Sequence, residues 1–92
     1  MAKIRFNLNI LGMVRGVGFR YSALRQAKLL GLNGWVKNTK TGGVEILAEG
    51  EESDLISLMN WCYNGVSSAE VQKIIQSRSK ATGEFSNFTI KY

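Results

Sequence analysis

The sequence predicts an α+β fold in which an antiparallel sheet carries two helices on one face, with a short extra strand near the C-terminus. Three observations carry that expectation. Apolar and polar residues alternate in several short runs, the period of half-buried strands. Two longer stretches, Tyr21 to Leu30 and Glu51 to Gly65, space their apolar residues three and four apart, as one face of a helix requires. The segments follow one another as strand, helix, strand, strand, helix, strand, with a brief strand last.

Taken in order, Ile4, Phe6, Leu8 and Ile10 alternate with Arg5, Asn7 and Asn9, giving a strand with one buried and one polar face. A glycine-rich stretch from Gly12 to Arg20 turns this strand into the first helix. In that helix Ala23, Ala27 and Leu30, with Leu24 beside them, form the apolar stripe, and Gly31 stands where a left-handed cap is expected. Gly34 to Thr39 reads as a second strand, Thr41-Gly42-Gly43 as a hairpin turn, and Val44 to Glu49 as a third strand. Val44, Ile46 and Ala48 are expected to face one way, and Glu45, Leu47 and Glu49 the other.

From Glu51 the period is helical again. Glu51, Glu52 and Asp54 bring negative charge to the first turn, where the helix dipole favours it, while Leu55, Leu58, Met59 and Cys62 line the core. Trp61 lies at the margin of that stripe, and Gly65 ends the helix. Ala69 to Ser77 is a fourth strand whose broken alternation at Ile74-Ile75 suggests a bulge. Ser77 to Glu84 reads as a polar loop, and Phe88, Ile90 and Tyr92 as a short closing strand at a sheet edge. This order fits the ferredoxin-like split βαβ arrangement.

Composition narrows the function classes. A chain of 92 residues supports one domain, residues 1–92, with a modest core. Histidine is absent, which removes the commonest general base and the commonest metal ligand together. Cys62 has no partner for an internal disulfide, which suits a reducing cytoplasm. No charged-then-apolar leader opens the chain, and no apolar run approaches the length of a membrane span. The net charge of +5 would draw a nucleic acid or a small anion equally. The basic residues are scattered from Lys3 to Lys91 and form no dense block.

The stretch with most chemical content is Gly12-Met13-Val14-Arg15-Gly16-Val17-Gly18-Phe19-Arg20. Its glycines leave backbone N–H groups uncovered, and the helix that follows adds its own unpaired N–H groups and the positive end of its dipole. Arg15 and Arg20 supply guanidinium groups, whose planar fork grips a tetrahedral oxyanion with two hydrogen bonds. The residues Arg15, Gly16, Val17, Gly18, Phe19 and Arg20 are therefore expected to hold a phosphate group. Phe19 contributes its N–H while its ring anchors the helix in the core. The stretch lacks the Gly-Lys-Ser/Thr ending of a P-loop. The glycine order of a dinucleotide site is missing too, and position 38, near where the acidic partner would stand, is Asn.

A second segment, Gly34-Trp35-Val36-Lys37-Asn38 with Gly42-Gly43-Val44 and Gly50, follows at a fixed distance. Together, the two segments resemble the paired signatures of the acylphosphatase family, and the likeness covers nearly the whole chain. The resemblance implies a ferredoxin-like fold and hydrolysis of the carboxyl–phosphate bond of acyl phosphates without a metal or other cofactor. It further implies that one arginine binds the phosphate and one asparagine positions the attacking water; the matching positions are Arg20 and Asn38. Two departures stand out. Arg15 occupies a position where the family commonly has glutamine, and Gly65-Val66 stands where Gly-Pro is usual.

The remaining residues are consistent with that chemistry. The carboxylates concentrate in the third strand and second helix and show no motif for paired-carboxylate catalysis or metal ligation. Serines are plentiful, but no histidine can activate one. An enzyme built from this sequence works by electrostatics and positioning on an already activated substrate, and acyl phosphates are activated in that sense. Inorganic phosphate and sulfate are expected as competitive ligands. The alternative is a non-catalytic domain of the same fold that binds an anion or a single-stranded nucleic acid. The latter needs aromatic residues on the open strand faces. The first strand offers Arg5, Asn7 and Asn9 there and the third Glu45, Leu47 and Glu49, so no stacking platform is expected.

Overall fold

The structure, a computed structural model, describes residues 3–92. Its elements are β1 (Ile4–Met13), α1 (Phe19–Leu29), β2 (Asn33–Asn38), β3 (Val44–Gly50), α2 (Glu52–Asn64), β4 (Glu70–Lys80) and β5 (Phe88–Ile90). They form the expected ferredoxin-like α+β arrangement, with a five-stranded sheet in the order β4-β1-β3-β2-β5. The first four strands pair antiparallel, whereas β5 runs parallel to β2, so the sheet is mixed. The direction of β5 follows from the topology. β4 ends where β1 and β2 begin, so the chain crosses the sheet at that end and can lay β5 beside β2 only in the direction of β2.

Alternation builds the core as expected. Leu8 opposes Ile46, which opposes Val36, and these side chains lie in the fully buried layer between sheet and helices. Phe19, Ala23 and Ala27 of α1 and Leu55, Leu58 and Cys62 of α2 close that layer from above. Trp61 packs at its margin against Phe19, with ring centroids 5.8 Å apart. α1 ends in a Schellman motif: Leu32 N–H bonds Ala27 C=O at 2.9 Å, Gly31 N–H bonds Lys28 C=O at 3.1 Å, and Gly31 has φ 72°. Among the described residues, no helix is long and apolar enough to cross a membrane.

Several boundaries differ from the sequence-based expectation. β1 runs on to Met13, which places Gly12 inside the sheet and not in the loop. The bulge lies at Gln72, because Leu11 pairs with Lys73 and Gly12 with Val71. Gly12 has φ 136°, and a Cβ there would collide with the carbonyl oxygen of Glu70. At Ile74-Ile75 the register is regular: Ile74 opposes Ile10, whereas Ile75 opposes Asn9 and is exposed. Ser77 to Lys80 belong to β4, and Tyr92 lies beyond β5.

The open face of the sheet holds two features that the sequence did not disclose. Glu49, expected to face solvent, is only 5% exposed. It accepts hydrogen bonds from Arg5 Nε at 2.7 Å, Thr82 N–H at 2.9 Å and Gly83 N–H at 3.0 Å, while Arg5 also pairs with Glu84. This cluster fastens the crossing segment between β4 and β5 onto the sheet. The second feature is Trp35. It alternates with the buried Val36, so its ring stands on the open face, where the first and third strands gave no sign of an aromatic.

Candidate active site

The loop between β1 and α1 is pinned at both ends by apolar side chains. Val14 is 1% exposed and Phe19 2% exposed, and both belong to the core. Between them Gly16 and Gly18 adopt left-handed conformations with φ 74° and 77°. Among the described residues, no heavy atom beyond the glycine and its chain neighbours lies within 4 Å of a Cβ placed on either, so conformation and not crowding selects glycine there. Gly18 is the N-cap of α1 and offers no capping side chain. The first N–H groups of the helix therefore lack the side-chain acceptor that an N-cap commonly supplies. The first turn of α1 contains no acidic residue, so the positive end of its dipole is not neutralised within the helix.

Arg20 is the second residue of α1 and is half-buried. Among the described residues it has no carboxylate partner. Its guanidinium carbon instead lies 5.2 Å from the ring centroid of Tyr92. Asn38 reaches the same place from another element. It is the last residue of β2, opposite Val44, and shares the helix-facing side with Val36 two residues earlier. The turn that follows is locked by Thr39, whose N–H donates to Gly43 C=O at 2.9 Å and whose hydroxyl accepts Gly43 N–H at 3.0 Å. Backbone pairing on one side and this turn on the other fix the position of Asn38.

These parts meet in one recess of about 210 Å³. Gly16, Gly18, Phe19, Arg20 and Asn38 all line it, bringing together most of the residues singled out in the sequence. Arg15 and Val17 do not. Arg15 is exposed beside the recess, and Val17 packs partly against the core. Val14, Tyr21, Ile90 and Tyr92 complete the lining. The sequence marked none of these four as belonging to a site. Phe88, Ile90 and Tyr92 did show strand-like alternation, but alternation does not say which strand is the neighbour. Here it is β2, which sets Ile90 opposite Val36 and so near Asn38.

Among the described residues, no Asp or Glu side chain lines the recess. Cys62 faces the core from α2, where burial pushes its thiol up to about 12 and keeps it protonated at neutral pH. Among the described residues, no three His, Cys, Asp or Glu side chains gather where they could hold a metal ion. The arrangement can bind a small anion with backbone N–H groups and a guanidinium, and can set a neutral amide against it.

Known proteins share this arrangement of sequence and fold. The family described as Acylphosphatase matches residues 6–90. An acylphosphatase of Geobacter sulfurreducens is 43% identical over 90 residues, covering 98% of this chain and 99% of the relative. Among solved structures, acylphosphatase from Bacillus subtilis superposes with a TM-score of 0.92 at 38% identity, covering 97% of this chain and 99% of that one. An acylphosphatase from Coxiella burnetii gives a TM-score of 0.90 at 31% identity, over 98% and 94% of the two chains. With the family matched over nearly its full length and the fold shared with relatives above 30% identity, this chain belongs to the acylphosphatase family.

Proposed function

We propose that the chain hydrolyses the carboxyl–phosphate bond of acyl phosphates, with the phosphate held by the 15–20 loop and Arg20 and the attacking water oriented by Asn38. The observation that carries this reading is the meeting of Arg20, the Gly16–Gly18 loop and Asn38 in a single recess, although they come from different elements. Water attacks phosphorus, the bond to the carboxylate oxygen breaks, and carboxylate and inorganic phosphate leave. The carboxylate departs without a strong protein acid. In a loose transition state the charge rests on the phosphoryl oxygens, where N–H donors and a guanidinium stabilise it. The substrate phosphate accepts the water's proton, since no side chain of the recess is a base. The amide of Asn38 holds the water in line without carrying charge that would repel the phosphate.

No metal enters this scheme, and the chain is taken to work as one domain in a reducing cytoplasm, where Cys62 stays a thiol. Acetyl phosphate hydrolysis measured with EDTA present tests the reading. Turnover should be unaffected by the chelator and competitively inhibited by inorganic phosphate and by sulfate. Loss of activity on chelation, restored by a divalent cation, would contradict it.

A further inference from the structure

The open face of the sheet carries a second depression, of about 510 Å³, on the opposite side from Arg20 and Asn38. That volume is larger than the first recess and falls in the range of small-molecule sites, roughly 300–1,000 Å³. Its floor is Trp35, set by the register between Leu47 of β3 and Thr89 of β5. Two ammonium groups lie over the indole: Lys91, which lines the depression, has its Nζ 4.8 Å from a ring centroid of Trp35, and Lys37, which stands outside that lining, has its Nζ at 5.2 Å. Phe85 and Asn87 from the crossing segment form a further wall.

The charges here are largely unspent. Lys91 has no carboxylate partner among the described residues, and its backbone is pinned by a 2.8 Å bond from its N–H to Val36 C=O. Lys37 reaches Glu45 only at 3.9 Å, while that carboxylate already accepts from Asn7 Nδ2 at 2.8 Å. Glu84 also lines the depression, but Arg5 binds it. Lys91, whose partner is a neutral ring, and Lys37, held only by a long contact to Glu45, can turn to an anion and uncover that ring as they do. An exposed cation–π contact is the weaker interaction, and stacking of a flat base together with an ion pair is the stronger.

We propose that this depression is a mononucleotide site. The base stacks on Trp35, the phosphate dianion sits between Lys37 and Lys91, and Asn87 and Thr89 meet the polar edges of the base or sugar. A phosphate dianion matches two ammonium groups better than a single carboxylate would, and about 510 Å³ gives room for a mononucleotide. The site is independent of acyl phosphate hydrolysis, which takes place on the other face.

Titration with adenosine 5′-monophosphate tests it, read from the Trp35 indole N–H by NMR with inorganic phosphate present to fill the Arg20 recess. The expected result is saturable binding in the range of about 1 mM or tighter. Adenosine, lacking the phosphate, should bind about tenfold more weakly, as should the K37Q/K91Q variant. Trp35→Leu, followed at the backbone amides of Thr89 and Lys91, should abolish the response while thermal unfolding shows an intact fold. Acetyl phosphate hydrolysis by the lysine variant should stay within about twofold of the parent. Shifts confined to Gly16, Gly18, Arg20 and Asn38, equal affinity for adenosine and its monophosphate, or unchanged affinity in K37Q/K91Q would overturn the proposal. So would a single-stranded oligonucleotide that binds where the mononucleotide does not, since the unit recognised would then be a longer strand.

Discussion

The guanidinium carbon of Arg20 lies 5.2 Å from the ring centroid of Tyr92, and among the described residues no Asp or Glu side chain pairs with it instead. The distinction matters for an anion site. A carboxylate would occupy the in-plane N–H fork that a phosphate needs, whereas an aromatic face attracts the cation and leaves the fork free.

Removing the ring should therefore loosen Arg20 without unfolding the protein, because Tyr92 is 97% exposed. Tyr92→Ala is expected to raise KM for acetyl phosphate about two- to fivefold, the equivalent of about 0.5–1 kcal/mol. Tyr92→Phe should keep the parent value. Steady-state kinetics on the two variants decide it: equal KM for alanine and phenylalanine would leave the ring without a role.

Arg20→Ala removes the guanidinium outright. Two charge-assisted hydrogen bonds at about 1.5–3 kcal/mol each correspond to a loss of at least about a hundredfold in kcat/KM. Arg20→Lys should recover only part, since an ammonium has no planar fork. Arg15→Gln, at an exposed position outside the recess, should stay within about threefold of the parent. If lysine at position 20 matched arginine within about twofold, the bidentate grip would be wrong.

Glu49 makes the fold sensitive to acid. Burial acts on its carboxyl most strongly and pushes it up, but the Thr82 N–H, the Arg5 guanidinium, the Gly83 N–H and the Thr82 hydroxyl together outweigh burial and hold it below the usual carboxylate range. A group depressed in the folded state adds stability that is complete above its unfolded value, about 4.3, and is lost as pH falls through the folded value. The melting temperature should hold from pH 7 to about 5 as far as Glu49 is concerned, and fall below that. Glu49→Gln should be about 1–3 kcal/mol less stable at pH 7, with the gap to the parent narrowing under acid. A gap of constant size down to pH 3 in urea melts would contradict the assignment.

The glycines of the first motif serve different ends, and their alanine variants should separate. At Gly12 a Cβ meets backbone carbonyl in a sheet that cannot give way, so Gly12→Ala should destabilise by about 3 kcal/mol. At Gly16 only the left-handed backbone stands against alanine, with open space around it, and about 1 kcal/mol is expected. Equal midpoints and slopes for the two variants in urea unfolding would count against this division.

Most of the fold was legible because its elements announce themselves locally. The alternation of Ile4 to Ile10, the apolar stripe ending at Leu30 and Gly31, and the run Leu55, Leu58, Cys62 each specify a face without knowledge of a partner. What stayed hidden depended on partners. Gly12 looked like part of a loop because its reason for being glycine is a carbonyl in β4. Glu49 looked solvated because Arg5, Thr82 and Gly83 reach it from far along the chain. Trp35 escaped notice because the open face was read only from the first and third strands. The candidate site divides the same way. Its anion-holding loop, with Val14, and Asn38 stand in contiguous motifs, but the walls Ile90 and Tyr92 are brought up by the β2–β5 pairing, which alternation alone cannot assign.

Asn38 bears the most specific claim, that its amide orients water and does not hold the phosphate. The direct measurement is the Asn38→Ala variant, with the inhibition constant for inorganic phosphate and kcat for acetyl phosphate determined on the same preparation. Thermal unfolding is followed alongside, because the Thr39–Gly43 turn begins beside this residue. The account predicts an inhibition constant within about twofold of the parent, with kcat reduced by at least about a hundredfold, as when a hydrogen bond made in the transition state is lost. Phosphate affinity and kcat falling together by the same factor, at unchanged stability, would make Asn38 a phosphate ligand and contradict it.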